Sequence, residues 1–250
     1  MRTFRILFFK ELKSYFLSPY GWLIIFFPAF IQAFVLSSTL KLYQVEPQAE
    51  SLVATTFSSP IFWFYFLFIF PVLTMRIFSE ENRSGTLEGL LTAPVRSWQV
   101  VLSKYFAALL TYVLLWIPAF IHFKLFTTIT DIPPPFHQGE LYGAFIIIFL
   151  IGMLFTAIGC LTSALTSSQI IAGISCMAIL LFLFFLGIVN NYLTNQVQGS
   201  PFFDFISVQN HMRDFSRGLL DSRAFIYYFS MTTFVLFLTY HLLDFRRWKP

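Results

Sequence analysis

Five stretches of this chain contain no Asp, Glu, Lys or Arg, and they decide what it can fold into. No charge interrupts the 27 residues between Lys13 and Lys41, the 25 between Glu50 and Arg76, the 19 between Lys104 and Lys124, or the 20 between Arg223 and Asp244. Each suits one membrane helix, which needs roughly 20 apolar residues. The fifth, 63 residues between Glu140 and Asp204, is too long for one span. Its polar cluster Thr166-Ser167-Ser168-Gln169 divides it into two. Six spans are therefore expected, near 20–40, 58–77, 104–123, 141–165, 170–190 and 224–243. With only 11% charged residues, against ~25% in globular domains, a water-facing surface cannot be built. The 35 Phe, 11 Tyr and 5 Trp exclude disorder, which needs a polar chain. The expected fold is an all-α integral membrane domain occupying residues 1–250, with the lipid bilayer as its solvent.

Charge sets the expected orientation. With both termini on the cytoplasmic side, that side receives 11 of the 16 basic residues and the outer side 5, the bias of the positive-inside rule. The net charge of +4 is thus mainly an orientation signal. No compact basic patch with interleaved aromatics stands clear of the membrane, so nucleic acid is not an expected partner. The N-terminus does not read as a cleaved signal, because Lys10, Glu11 and Lys13 interrupt the apolar run. Phe4, Phe8, Leu12, Tyr15 and Phe16 instead recur at helical spacing, with Arg2, Arg5, Lys10 and Lys13 elsewhere around the wheel. That pattern suits a helix over 3–17 lying in the inner interface. An extension of the first span is the alternative.

Within the spans, Pro28, Pro71 and Pro118 predict kinks. Gly152, Thr156, Gly159 and Ser163 form a small-residue stripe along the fourth span, which allows another backbone to approach closely. The stripe suits a subunit interface and packing within one chain equally well. Cys160 and Cys176 fall about two helical turns either side of the Ser167-Ser168 bend and are expected to be buried thiols rather than a redox pair. The aromatic runs Phe62-Trp63-Phe64-Tyr65-Phe66 and Phe182 to Phe185 are expected to be lipid-facing bulk and interfacial belt, with a groove for an apolar substrate as the alternative.

Several chemistries are missing. Apart from His122 and His241 near span ends, the span interiors carry no ionisable acid or base of the kind that proton- or ion-coupled transport uses. There is no GxSxG, no HExxH and no GxxxxGK[ST]. The chain is not expected to be an enzyme, and it has no Walker-type phosphate cradle; any energy must come from a partner.

Two polar segments remain. Between spans two and three lies Ser79-Glu80-Glu81-Asn82-Arg83-Ser84-Gly85-Thr86-Leu87-Glu88-Gly89-Leu90-Leu91-Thr92-Ala93-Pro94-Val95. Gly85 offers a bend and Pro94 suits the first turn of a following helix. The run resembles the EE-x-x-SGT-L-E-x-LL-x-APV motif of ABC-2 type transporter permeases, where it forms the coupling region on the ATPase. Asn82 and Gly89 stand where that motif leads one to expect a basic residue and a leucine. The resemblance implies an ATPase-coupling site at Glu80, Glu81, Arg83, Gly85, Thr86, Leu87, Glu88, Leu90, Leu91 and Pro94. Glu80 and Glu81 would make the polar contacts, and Leu87, Leu90 and Leu91 the apolar anchor.

The second segment, 200–222, alternates aromatic and charged residues, as expected of short helices at the outer interface. Its Phe215, Arg217, Gly218 and Asp221 resemble the FxRGxxD stretch of a narrower branch, the gliding-motility and nitrous-oxide-reductase-maturation permeases. The ending Phe245-Arg246-Arg247-Trp248 is similar to theirs as well. These likenesses imply one six-span half of a bacterial inner-membrane assembly with a second permease subunit, identical or related, and a cytoplasmic ABC ATPase. They also allow a further periplasmic or membrane-anchored subunit. No cofactor is expected in this chain; ATP and magnesium belong to the ATPase. The expected task is substrate movement driven by ATP, with a mechanical relay or a membrane anchor as alternatives.

Overall fold

The computed structural model describes residues 2–45, 50–92, 95–129, 136–194 and 205–248, and among these all regular structure is helical. An N-terminal helix α1 (Arg2–Phe16) leads into α2 (Pro19–Val45). A short α3 (Leu52–Ser58) precedes α4 (Pro60–Thr74), and two small helices follow, α5 (Ser79–Ser84) and α6 (Thr86–Thr92). The third span is divided into α7 (Ser97–Leu114) and α8 (Ile117–Ile129). Long helices α9 (Gln138–Leu165) and α10 (Gln169–Thr194) come next, then α11 (Val208–Ser216) and α12 (Ser222–Trp248). Among the described residues, six segments are long and apolar enough to cross a membrane: Pro19–Val45, Pro60–Ser84, Ser97–Thr128, Gln138–Leu165, Gln169–Gly187 and Ser222–Arg246.

The prolines act differently from one another. Helices α2 and α4 run on through Pro28 and Pro71. Pro118 instead lies in the first turn of α8, where its missing N–H costs nothing. At the α7–α8 break the Leu115 carbonyl accepts 3.1 Å from the buried side-chain amide of Gln32, which satisfies backbone that lipid could not.

Helix α9 is the hub, packed against α4, α7, α10, α11 and α12. The aromatic run of α4 packs mainly inward, contrary to the expectation of lipid-facing bulk. Phe62, Trp63, Tyr65 and Phe66 are buried, and Phe64 alone of the five is exposed. Consecutive residues on a helix point about 100° apart, so an unbroken aromatic run must supply both faces. The inward rings continue as Phe62–Phe66 and Phe66–Phe70, with centroids 5.2 and 5.3 Å apart, and then reach Phe155 of α9 at 5.1 Å from Phe70. Phe182 and Phe185 of α10 do face outward, as do Phe26, Phe27, Phe30 and Phe34 of α2.

Candidate functional site

At the end of the bundle that gathers α1, the start of α7 and the last turns of α12, segment 79–92 is fixed by side chains from distant helices. Helix α5 has no capping side chain of its own. Ser163 of α9 supplies the cap: its hydroxyl accepts from the backbone N–H of Phe78 and Ser79 at 3.0 and 3.1 Å, and donates to the Met75 carbonyl at 3.1 Å. That uses the full capacity of a hydroxyl. Asn82 donates to the Thr166 carbonyl at 3.3 Å and accepts from Arg246 at 2.9 Å, tying α5 to the α9–α10 turn and to α12. Ser97 at the head of α7 bonds Asp244 of α12 at 2.9 Å. Gly85 then ends α5 with φ +69°, a left-handed conformation that side chains resist, so the chain can turn into α6.

These anchors sort the expected coupling residues by direction. Leu87 is buried and Leu90 half-buried against the core. Glu80, Arg83, Ser84, Gly85, Thr86 and Glu88 are exposed. Glu80 is paired with Arg76 at 3.2 Å, one helical turn back. The side chain of Leu91 and the whole of Ala93 and Pro94 lie outside the described residues.

Glu81 turns inward. Its Oε1 lies 3.1 Å from the ammonium of Lys104, which is only 3% exposed in the second turn of α7. The same ammonium donates to Glu11 of α1 at 2.9 Å and to the Ile77 carbonyl at 2.9 Å, and it lies 5.4 Å from the Phe78 ring. Lys10, well exposed, stands 3.6 Å from Glu81 and 4.0 Å from Glu11. Two acids thus face two bases, one base buried and one at the surface. From the sequence, Glu11 read only as an interruption of the N-terminal apolar run and Lys104 only as the cytoplasmic edge of a charge-free gap. The available signal was a lone lysine within Val100-Val101-Leu102-Ser103-Lys104-Tyr105-Phe106, since a charge on an apolar stretch must find a counter-ion inside the bundle.

The opposite end is equally tied down. Ser207 caps α11 by accepting from Asn210 at 3.3 Å. The FxRGxxD residues build the turn that follows. Phe215 is fully buried, Arg217 pairs with Glu50, and Gly218 takes φ +81°. The Leu219 N–H reaches the Asp214 carbonyl and the Gly218 N–H the Phe215 carbonyl, both at 2.9 Å, which is a Schellman stop. Asp221 then accepts from the Arg223 N–H at 2.8 Å, capping α12. His211 is buried with its Nδ1 3.2 Å from the Tyr228 hydroxyl. Burial pushes its pKa down to about 4, against a smaller upward pull from Asp221.

The small-residue stripe of α9 is used within the chain. A Cβ on Gly152 would stand 2.0 Å from the Tyr112 ring, and one on Gly159 would stand 2.1 Å from Thr74 Oγ1. Thr156 is fully buried between them. Cys160 and Cys176 are free, buried thiols.

A chain of six apolar crossing helices, with a folded polar segment between the second and third, matches a known family along most of its length. Residues 30–239 fit the model of the ABC-2 family transporter protein. The chain belongs to the ABC-2 transporter family. It is accordingly a multi-pass membrane component of an ABC transporter, a family that works with a cytoplasmic ATPase. The ABC-2 match covers Glu81, Lys104 and Ser163 and begins inside α2, so α1 and Glu11 lie before it. No curated protein matches the chain.

Proposed function

We propose that this chain is the permease half of an ABC assembly of two permease chains and two ATPase subunits, both termini lying on the cytoplasmic side of a bacterial inner membrane. The ATPase subunits bind ATP with magnesium and meet the exposed face formed by Glu80, Arg83, Gly85, Thr86 and Glu88. Glu81, Leu87 and Leu90 face inward and hold that surface to the spans. The supporting observation is the fixation of 79–92: a polar surface segment held by Ser163 of α9, Lys104 of α7 and Arg246 of α12, three different crossing helices, can receive force and pass it on.

A second reading, an ATP-driven mechanical relay without substrate flux, draws on α9. That helix caps α5 through Ser163 at one end. At the other end Gly143 abuts the Phe215 carbonyl so closely that a Cβ would stand 2.2 Å from it. One rigid rod therefore touches both faces. The likeness of Phe215-Ser216-Arg217-Gly218-Leu219-Leu220-Asp221 to the gliding-motility and nitrous-oxide-reductase-maturation branch favours the same reading.

Gentle purification of the tagged chain from its native membrane tests the proposal. The expected result is one ATPase subunit per chain, lost in Glu80→Lys with Arg83→Glu while thermal stability is kept. Recovery of the chain without an ATPase overturns it. An additional periplasmic subunit, with ATP-dependent rearrangement and no flux, selects the relay.

A further inference from the structure

Three separate elements meet at the Lys104 ammonium: it donates to Glu11 on α1 and to the Ile77 carbonyl in the turn leaving α4, and it is ion-paired with Glu81 on α5 at 3.1 Å. We propose that Lys104 is a positioning residue that clasps α1 to α5 through Glu11 and Glu81, so that the two helices move as one body and carry α7 with them, and that ATP coupling depends on this clasp. The inference rests on the reading of the chain as an ATPase-coupled permease.

The charge arithmetic gives the clasp its direction. Glu11 and Glu81 are like charges whose shared buried partner is Lys104. Without it they retain, among the described residues, only Lys10, whose side chain is 62% exposed and stands 3.6 Å from Glu81 and 4.0 Å from Glu11. Solvent and salt weaken such a surface cation. Removing Lys104 therefore turns attraction between α1 and α5 into repulsion between two partly buried carboxylates. Removing either acid leaves the ammonium with the other. The second oxygen of Glu81, Oε2, is buried and has no hydrogen-bond partner among the described residues. Replacing a whole buried ion cluster by neutral groups is often tolerated, whereas removing one member is not. That difference separates a positioning role from a purely structural one.

Three variants carry the test: Lys104→Met, Glu81→Gln, and the triple neutral Glu11→Gln/Lys104→Met/Glu81→Gln. In the purified chain alone, hydrogen exchange should rise about tenfold or more in α1 and α5 together for Lys104→Met, less for Glu81→Gln, and return towards wild type in the triple variant. In the permease–ATPase complex reconstituted in liposomes, the triple variant should retain its ATPase subunits but lose most of the wild-type ATP turnover. Wild-type turnover in the triple variant would show that the cluster only holds the fold, and would overturn the proposal. So would unchanged exchange in Lys104→Met, whatever the complex does. If the wild-type chain brings no ATPase with it, the functional reading fails, and the exchange result still decides whether the clasp exists.

Discussion

Substituting alanine for glycine at two positions of this chain should have opposite effects, and the difference follows from what each new methyl group meets. At Gly152 in α9 the Cβ would lie 2.0, 2.5 and 2.7 Å from three atoms of the Tyr112 ring. That ring cannot simply swing aside. It is fully buried, packed 5.1 Å from Phe70 and 6.1 Å from Trp116, and its hydroxyl donates to the Ile148 carbonyl at 2.8 Å. Displacing it combines overpacking, about 1–3 kcal/mol, with a lost hydrogen bond, about 0.6 kcal/mol on average inside membranes. Gly152→Ala should therefore destabilise by about 2–4 kcal/mol. At Gly89 in α6 no atom lies within 4 Å of the new Cβ, so alanine's better helix propensity should stabilise by up to about 1 kcal/mol. Thermal unfolding of the purified variants in one detergent reads both. Gly152→Ala combined with Tyr112→Leu should cost less than the sum of the two single changes, because the clash disappears with the ring. Additive costs, or a neutral Gly152→Ala, would refute the close-approach reading of the α9 stripe.

The other expectations use the same logic at different sites. Ser163→Ala removes the acceptor of two N–H groups at the head of α5, so hydrogen exchange over 79–84 should rise with a stability loss of about 1–2 kcal/mol. Gly218→Val should cost about 1–2 kcal/mol, because a β-branched residue resists φ +81°. It should also loosen the start of α12 in limited proteolysis. His211 stays neutral in the folded chain until about pH 4, whereas an unfolded histidine takes its proton near 6.5. Its contribution is therefore complete above about pH 6.5 and is lost as pH falls towards 4, by about 3 kcal/mol in all. His211→Gln should flatten that part of the stability profile.

The number and approximate course of the crossing helices were legible because apolar length is a one-dimensional signal. The charge-free gaps around Leu23 to Phe34 and around Ala144 to Ser163 report span length without any tertiary information. Direction of facing was not legible. The run from Phe62 to Phe66 is uniformly aromatic, so it has no hydropathy contrast from which to tell core from lipid, and the structure puts four of its residues inside. The stripe of α9 was visible as small residues, but its partners were not, since Tyr112 and Thr74 lie far away in the chain. The short polar segment illustrates both sides. Its bend at Gly85 could be anticipated, while Ser163 as its cap required knowing which helix end meets which.

The same limit explains the treatment of charge. Glu81 and Glu80 are neighbours of one type, and nothing local distinguishes them. Helix α5 turns one towards Lys104 and leaves the other at the surface with Arg76. A carboxylate at the surface can exchange its partner at little cost, whereas one on a buried ammonium cannot. Adjacent acids in the same motif thus divide into one that faces outward and one that faces inward. Glu80→Gln should consequently alter ATPase affinity with exchange in α1 unchanged, and Glu81→Gln should alter exchange in α1 first. Equal effects of the two substitutions on both readouts would mean that the motif acts as an undifferentiated acidic patch.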